Sequence, residues 1–442
     1  VSRRNAILLF SLLFAAAYAP GLSRLRAQPT GQKGFPSASD LAAARALLAS
    51  GNYPEAIAAF QSILRQQPPS EAAAIGLADA YRSVHNLEEA RSVLVSARRL
   101  RPRSAAVLKA LGSLEIEAQS WDAAIAALQQ AVALAPRDAE ARNFLASALQ
   151  GKGDLAAAIE QLDRVLAEHP QDRLARFMRA QCEADLNQNA KALADAQAVL
   201  HERANYLPAR ALLAKVLIRE RQCARAVQVL RPSPNPSPES TGPPPDLDTQ
   251  ALFLLANAYE CAGQAHSAAA VREDFARASN ADRERSERET QSKHLVEQAG
   301  ALAQQNRFPE ALALLDDAIQ RNPRNAFAFS QQAKIFFSEH AFDHARAAIA
   351  QALAIQPYQP DFLYVKGVIA EHDGNDAEAL AAFEEVTRVN PKEADAFFEI
   401  GKIRLRQGDR NAARTAFEQA AKLDPQDPEY QLAAKSAALT NP

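Results

Sequence analysis

Proline recurs along this chain at a fixed interval. Pro68, Pro102, Pro136 and Pro170 stand 34 residues apart, and so do Pro323, Pro357, Pro391 and Pro425. A period of this length marks supersecondary units that cannot bury their apolar faces alone and must stack. With each Pro at the thirty-second place, units begin at Ser37, Glu71, Ala105, Ala139, Arg173, Leu207, Thr249, Ser292, Ala326, Pro360 and Ala394, eleven in all. Two places not used to set the register test it. The eighth place holds only Ala or Gly, as in Ala44, Gly112, Gly367 and Gly401, and the twentieth holds only Ala, from Ala56 to Ala413. Two helices cross closely only where the side chain is a hydrogen or a methyl group. Pro inside a helix costs about 3 kcal/mol, so 25 Pro against 15 Gly fits many short helices with regular breaks. Ala, at about a fifth of the residues, argues for helix as well.

Each unit reads as two antiparallel helices. In the third, Val107, Leu108, Leu111 and Leu114 make one apolar stripe and Ile125, Leu128, Val132 and Leu134 another. Gly51, Gly153, Gly263, Gly374 and Gly408 fall between the two helices, where a left-handed residue is wanted. The pattern resembles the tetratricopeptide repeat family, over nearly all of residues 37–427. Phe60, Phe383 and Phe417 at the twenty-fourth place and Tyr81 and Tyr259 at the eleventh add to the resemblance. The family's Trp at the fourth place is missing; Phe329 and Phe397 stand there in two units. The resemblance implies an all-α, right-handed superhelical solenoid of about eleven 34-residue helix-turn-helix repeats. A helix over 428–439 is expected to cap the last apolar face, with the tail ending at 442.

Two breaks divide the array. Residues 231–246 hold seven Pro and read as an exposed, polyproline-like insertion in the sixth unit. Residues 283–291, Arg283-Glu284-Arg285-Ser286-Glu287-Arg288-Glu289 and beyond, pair opposite charges at helical spacing. A charged linker helix is expected there, joining a first block of seven repeats (37–282) to a second of four (292–427).

Arg3 and Arg4 precede an uncharged run from Ala6 to Ala19, then Pro20 and Gly21. That is the layout of a secretory signal, expected to be cleaved within residues 1–27 and followed by a linker over 28–36. An uncleaved inner-membrane anchor is the alternative, and contact with a membrane is expected only in that case. The resulting expectation is an exported bacterial protein, periplasmic or secreted.

A net charge of −2 gives no pull toward nucleic acid. Phosphate-binding glycine loops, H-E-x-x-H and G-x-S-x-G are absent, and units, linker and cap use up residues 37–442. The expectation is therefore no catalytic residue, no metal and no small-molecule cofactor, but a protein- or peptide-binding scaffold. His340 and His344 stand one helical turn apart without a visible third ligand, so no metal is assigned to them. Cys223 and Cys261, near the turn ends of neighbouring units, could form a disulfide, while Cys182 reads as buried.

The resemblance places ligand binding on the inner face of the first helices. Tyr364 and Phe398 at the fifth place, Lys334 and Lys402 at the ninth, and Phe327 and Phe337 flank such a groove in the second block. Rings and ammonium groups there could hold an extended peptide; the alternative is that they pack between successive first helices. Lys109 and Asn143 do not reproduce the family's chaperone-tail carboxylate clamp. The functional expectation is a scaffold for assembly, secretion or polysaccharide export. A membrane-anchored scaffold and an accessory subunit of a glycan-handling enzyme complex remain as alternatives.

Overall fold

The computed structural model describes residues 38–66, 70–231 and 247–439, and there the chain forms 22 helices and no strand. Units one to three pair α1 (Ala38–Ala49) with α2 (Tyr53–Gln66), α3 (Glu71–Ser83) with α4 (Leu87–Leu100), and α5 (Ala105–Glu117) with α6 (Trp121–Leu134). Units four to six pair α7 (Ala139–Lys152) with α8 (Leu155–Glu168), α9 (Arg173–Asp185) with α10 (Asn189–Glu202), and α11 (Leu207–Arg219) with α12 (Cys223–Leu230). Then come α13 (Thr249–Cys261), the long α14 (Ala265–Gln304) and α15 (Phe308–Arg321). Units nine to eleven pair α16 (Ala326–Ser338) with α17 (Phe342–Ile355), α18 (Pro360–His372) with α19 (Asp376–Val389), and α20 (Ala394–Arg406) with α21 (Arg410–Leu423). Helix α22 (Pro428–Leu439) closes the array. The expected signal segment, its linker, residues 232–246 of the insertion and residues 440–442 lie outside the described residues.

One left-handed residue turns the chain inside every unit. Five are the expected glycines, and His85, Gln119, Asn187, Arg221, Asn306 and His340 hold the same fifteenth place with φ between 56° and 60°. Only glycine adopts that conformation without cost, so sequence alone pointed to five of the eleven. At the next start, Ser70, Ser104, Asp138, Asp172, Asp248 and Asn325 each accept a backbone N–H of the helix they precede. Such caps satisfy donors that a helix start leaves open.

Within a unit, the eighth place receives the twenty-fourth. A Cβ added at Gly112 would stand 2.3 Å from Leu128, at Gly367 2.7 Å from Phe383, and at Gly401 2.5 Å from Phe417. All three large side chains are buried. The fourth place, where the family carries Trp, holds Arg in three units. Arg142 donates to the carbonyl of Pro136 at 2.8 Å, Arg176 to that of Pro170, and Arg210, 2% exposed, to those of Val229 and Leu230. Arg142 and Arg176 thus satisfy carbonyls of the turn that precedes their helix, and Arg210 satisfies those at the end of α12.

Successive first helices touch one another along most of the array, whereas second helices contact mainly the first helices that flank them. First helices therefore line the inner, more crowded side of the curve. Unit six departs from the rule at its end: α12 stops at Leu230 after 8 residues, just before the Pro-rich stretch, where the other separate second helices run 14.

The linker over 283–291 is not a separate element. Helix α14 is one 40-residue helix that serves as second helix of unit seven and first helix of unit eight. At 1.5 Å per residue it is about 60 Å long. Residues 281–291 are exposed on all sides, and Ser292, fully buried, marks the return to packing. Its Oγ donates to the Ala318 carbonyl at 2.7 Å and accepts from Asn325 Nδ2 at 2.8 Å.

Candidate functional site

The expected groove residues divide into two groups. Phe327 and Lys334 lie seven residues apart on α16, so their side chains leave the same face of the helix. Both are exposed, Phe327 at 45% of its surface, with one edge of its ring on Phe362 at 5.2 Å between centroids. The Lys334 ammonium makes no ion pair among the described residues.

The other four are engaged within the chain. The Phe337 ring lies edge-on to Phe342 and His372, both at 5.5 Å. Tyr364 packs edge-on to Phe383 at 5.3 Å, and burial, then the nearby Glu399 and Asp395, pushes its hydroxyl well above the usual tyrosine range. Phe398 sits between Phe417 (5.6 Å) and Tyr430 of the cap (5.0 Å). The Lys402 ammonium is 2.6 Å from Glu399, 4.0 Å from Glu371 and 5.8 Å from the centre of the Phe398 ring. Burial raises the Glu399 carboxyl despite that partner.

The fifth place of units three to five is engaged as well, there with the residue that precedes the next unit: Lys109 to Asp138 at 2.9 Å, Asn143 to Asp172 at 3.1 Å, and Phe177 to Tyr206 at 5.3 Å between rings. A side chain spent on the neighbouring unit is not available to a ligand. Sequence spacing put these residues on first helices but could not tell which were already occupied. Phe253, 49% exposed at the fifth place of unit seven, is a second free aromatic that the groove assignment did not single out. Its ring rests on Phe275 at 5.6 Å.

Cys223, at the start of α12, and Cys261, at the end of α13, are joined in a disulfide with Cα atoms 5.6 Å apart. The bond ties unit six to unit seven across the Pro-rich insertion. Cys182 is buried, and burial pushes its thiol up to about 12. His340 lies edge-on to Phe342 at 5.8 Å, and His344 is tilted against Phe336 at 5.3 Å. Among the described residues no three His, Cys, Asp or Glu side chains are placed to hold a metal, and no helix is long and apolar enough to cross a membrane.

Family models for the tetratricopeptide repeat match residues 47–114, 115–182, 296–360, 330–394 and 374–428. Together they cover more than half of the chain. The chain belongs to the tetratricopeptide repeat family. No curated protein matches it. Among solved structures it is similar to the APC/C hetero-tetramer Cut9–Hcn1, at 14% identity and TM-score 0.32, over 90% of this chain and 89% of that one. It is also similar to MamA protein, at 14% identity and TM-score 0.31, over 34% of this chain and 81% of that one. MamA from Desulfovibrio magneticus RS-1 aligns at 19% identity and TM-score 0.35, over 38% of this chain and 96% of that one.

Tetratricopeptide repeats generally mediate protein–protein interaction, and proteins built from them are typically non-catalytic scaffolds. The matches stop at residue 182 and resume at residue 296. Most of unit five and all of units six and seven lie between them and keep the small residues of the register, with Ala192, Ala214, Ala226, Ala256 and Ala268 all buried. The tetratricopeptide architecture therefore runs on through the stretch that the family models leave out.

Proposed function

We propose that this chain is an exported, non-catalytic scaffold of the bacterial cell envelope that grips an extended protein segment along its inner face. Its work is of the assembly, secretion or polysaccharide-export kind. The observation that carries the reading is the pair on α16: an open aromatic ring at Phe327 and an exposed ammonium at Lys334, on one face of a first helix. A ring supplies an apolar anchor, and an ammonium supplies a donor for a carboxylate or a main-chain carbonyl. The Cys223–Cys261 disulfide supports export, because such bonds persist in oxidising compartments and are rare in a reducing cytosol.

Affinity capture from cell envelopes tests the site. The native chain and a Phe327→Ala/Lys334→Glu variant are compared, with circular dichroism confirming equal helix content. The variant is expected to lose the partner that the native chain retains. Undiminished capture by the variant rules the α16 face out. Mass spectrometry of the chain from its host tests export: an intact Arg3–Ala19 segment on the purified protein would exclude the cleaved form.

A further inference from the structure

The two blocks meet a second time, far from α14. Eight units after the start of the array, the inter-unit turns of units nine and ten lie against the inter-helix turns of units one and two. The Tyr358 hydroxyl donates to the Gly51 carbonyl at 2.7 Å, and its ring meets that of Tyr53 edge-on at 5.3 Å. One unit further on, Asn86 Nδ2 donates to the Val389 carbonyl at 2.9 Å, and the Lys392 ammonium lies 2.6 Å from Glu89. Val84 packs into the apolar cluster that holds Val389. The same register, unit nine on unit one and unit ten on unit two, makes this one seam rather than scattered touches.

We propose that this seam is a latch, which holds the solenoid in one closed superhelical turn and parts to change access to its inner face. Three features make it a latch rather than a permanent core. Its polar bonds come from turn residues and side-chain tips, with Lys392 itself 66% exposed, and its apolar members Val84 and Tyr358 are only half-buried, whereas successive units share fully buried apolar clusters. The other link between the blocks is α14, whose residues 281–291 are exposed and, among the described residues, reach neighbouring helices only at the two ends of the stretch, where Thr249 bonds to Asp282 and Arg321 to Gln291. The seam also carries an opposing pair. Glu55 faces Glu385 across it; burial first and then Glu55 raise the Glu385 carboxyl, while Lys366 and Arg388 lower it. Attraction and repulsion set against each other in one contact suit a joint that opens. The consequence for access rests on the inner-face binding proposed above; the existence of the latch does not.

Dipolar electron paramagnetic resonance on the full chain, spin-labelled at Ser50→Cys and Gln356→Cys, reads the seam without any partner. Both positions are exposed beside Gly51 and Tyr358, while the native cysteines are bonded or buried and do not compete for label. The labelled native background should give one short, narrow distance distribution. Adding Asn86→Ser, Tyr358→Phe and Lys392→Glu removes the seam's polar bonds; Ser keeps the helix cap that Asn86 supplies to α4. That variant should keep the native circular dichroism and show a longer, broader distribution. A long distribution in the native background, or an unchanged short one in the variant, overturns the proposal. If the triple variant loses helix content, Lys392→Glu alone, at an exposed site, must lengthen the distribution, and its failure to do so has the same force. Partner capture by the opened variant is scored separately, so a failed latch and a failed binding site remain distinguishable.

Discussion

Gly401 and Phe417 show how this array is specified at the level of single atoms. The ring fills the space that a Cβ at Gly401 would need, 2.5 Å away, and Phe417 is buried. Gly401→Ala should therefore destabilise the last unit by about 1–3 kcal/mol, as overpacking does. Urea unfolding followed at unit eleven measures it, and Phe417→Leu, by trimming the ring, should recover part of the loss. This pairing was half legible: the eighth place announced closeness, but nothing in the sequence named the residue that comes close. Glu183 is a case that no periodicity reveals. It is 3% exposed, and burial, then Asp195, against Arg179, raises its carboxyl to about 7 from 4.5. The folded state thus holds this proton more tightly than the unfolded one. Its contribution is present below about pH 4.5 and is lost as pH rises through about 7. Glu183→Gln removes the penalty. It should raise stability by about 1–2 kcal/mol at pH ~8 and leave it unchanged at pH ~4. Thermal melts at the two values check the sign, and an equal gain at both would show that the carboxyl's ionisation is not the cause.

The elements were the most legible scale, because each is fixed by neighbours within one or two units. Small residues, caps and terminal prolines all recur at one period, and period is what a sequence displays. What escaped was the substitution of one chemistry for another at a fixed place. Arg142, Arg176 and Arg210 stand where a ring was looked for, and they bond to carbonyls of the inter-unit turns or, for Arg210, of the end of α12. Helix α14 is the other exception, since its exposed middle meets neighbouring helices only at its margins, through Thr249–Asp282 and Arg321–Gln291. Residues 281–291 bury nothing, and their ion pairs, such as Arg283–Glu287 at 3.7 Å and Arg285–Asp282 at 3.6 Å, are exposed. Pairs of that kind contribute only about 0.3–0.5 kcal/mol each. The stretch is helical because it is held at both ends by packed turns and contains good helix formers. Ser286→Pro costs about 3 kcal/mol in a helix interior, more than those pairs supply. Hydrogen exchange should then accelerate across 281–291, while 265–275 and 295–304 stay protected by their units. Loss of protection through both blocks would mean that α14 carries the fold of each block rather than joining them.

At the scale of the whole molecule, contacts between successive units dominate, and the seam adds a tie between units eight apart. The period predicts the first and is blind to the second, because a few turn residues 303 and 307 positions apart leave no recurring trace. A stack of this kind is nearly one-dimensional, so damage at one end should stay there. The cap offers the sharpest trial. Tyr430 is 7% exposed, packs on Phe398 and donates its hydroxyl to Asp395, binding α22 to unit eleven. Tyr430→Ala removes a buried ring and should cost about 3 kcal/mol locally. In a nearest-neighbour array that cost falls on unit eleven first, then on unit ten, and fades toward units three and four. Residue-resolved hydrogen exchange should show that gradient, with α20 and α21 losing protection and α5 to α8 keeping theirs. The seam adds one qualification to the gradient. Unit ten also rests on unit two, so any loss that reaches α19 should appear as a smaller, discontinuous change at Asn86 and Glu89. A uniform loss of protection along the chain would instead describe a single cooperative globule, and would contradict the nearest-neighbour architecture.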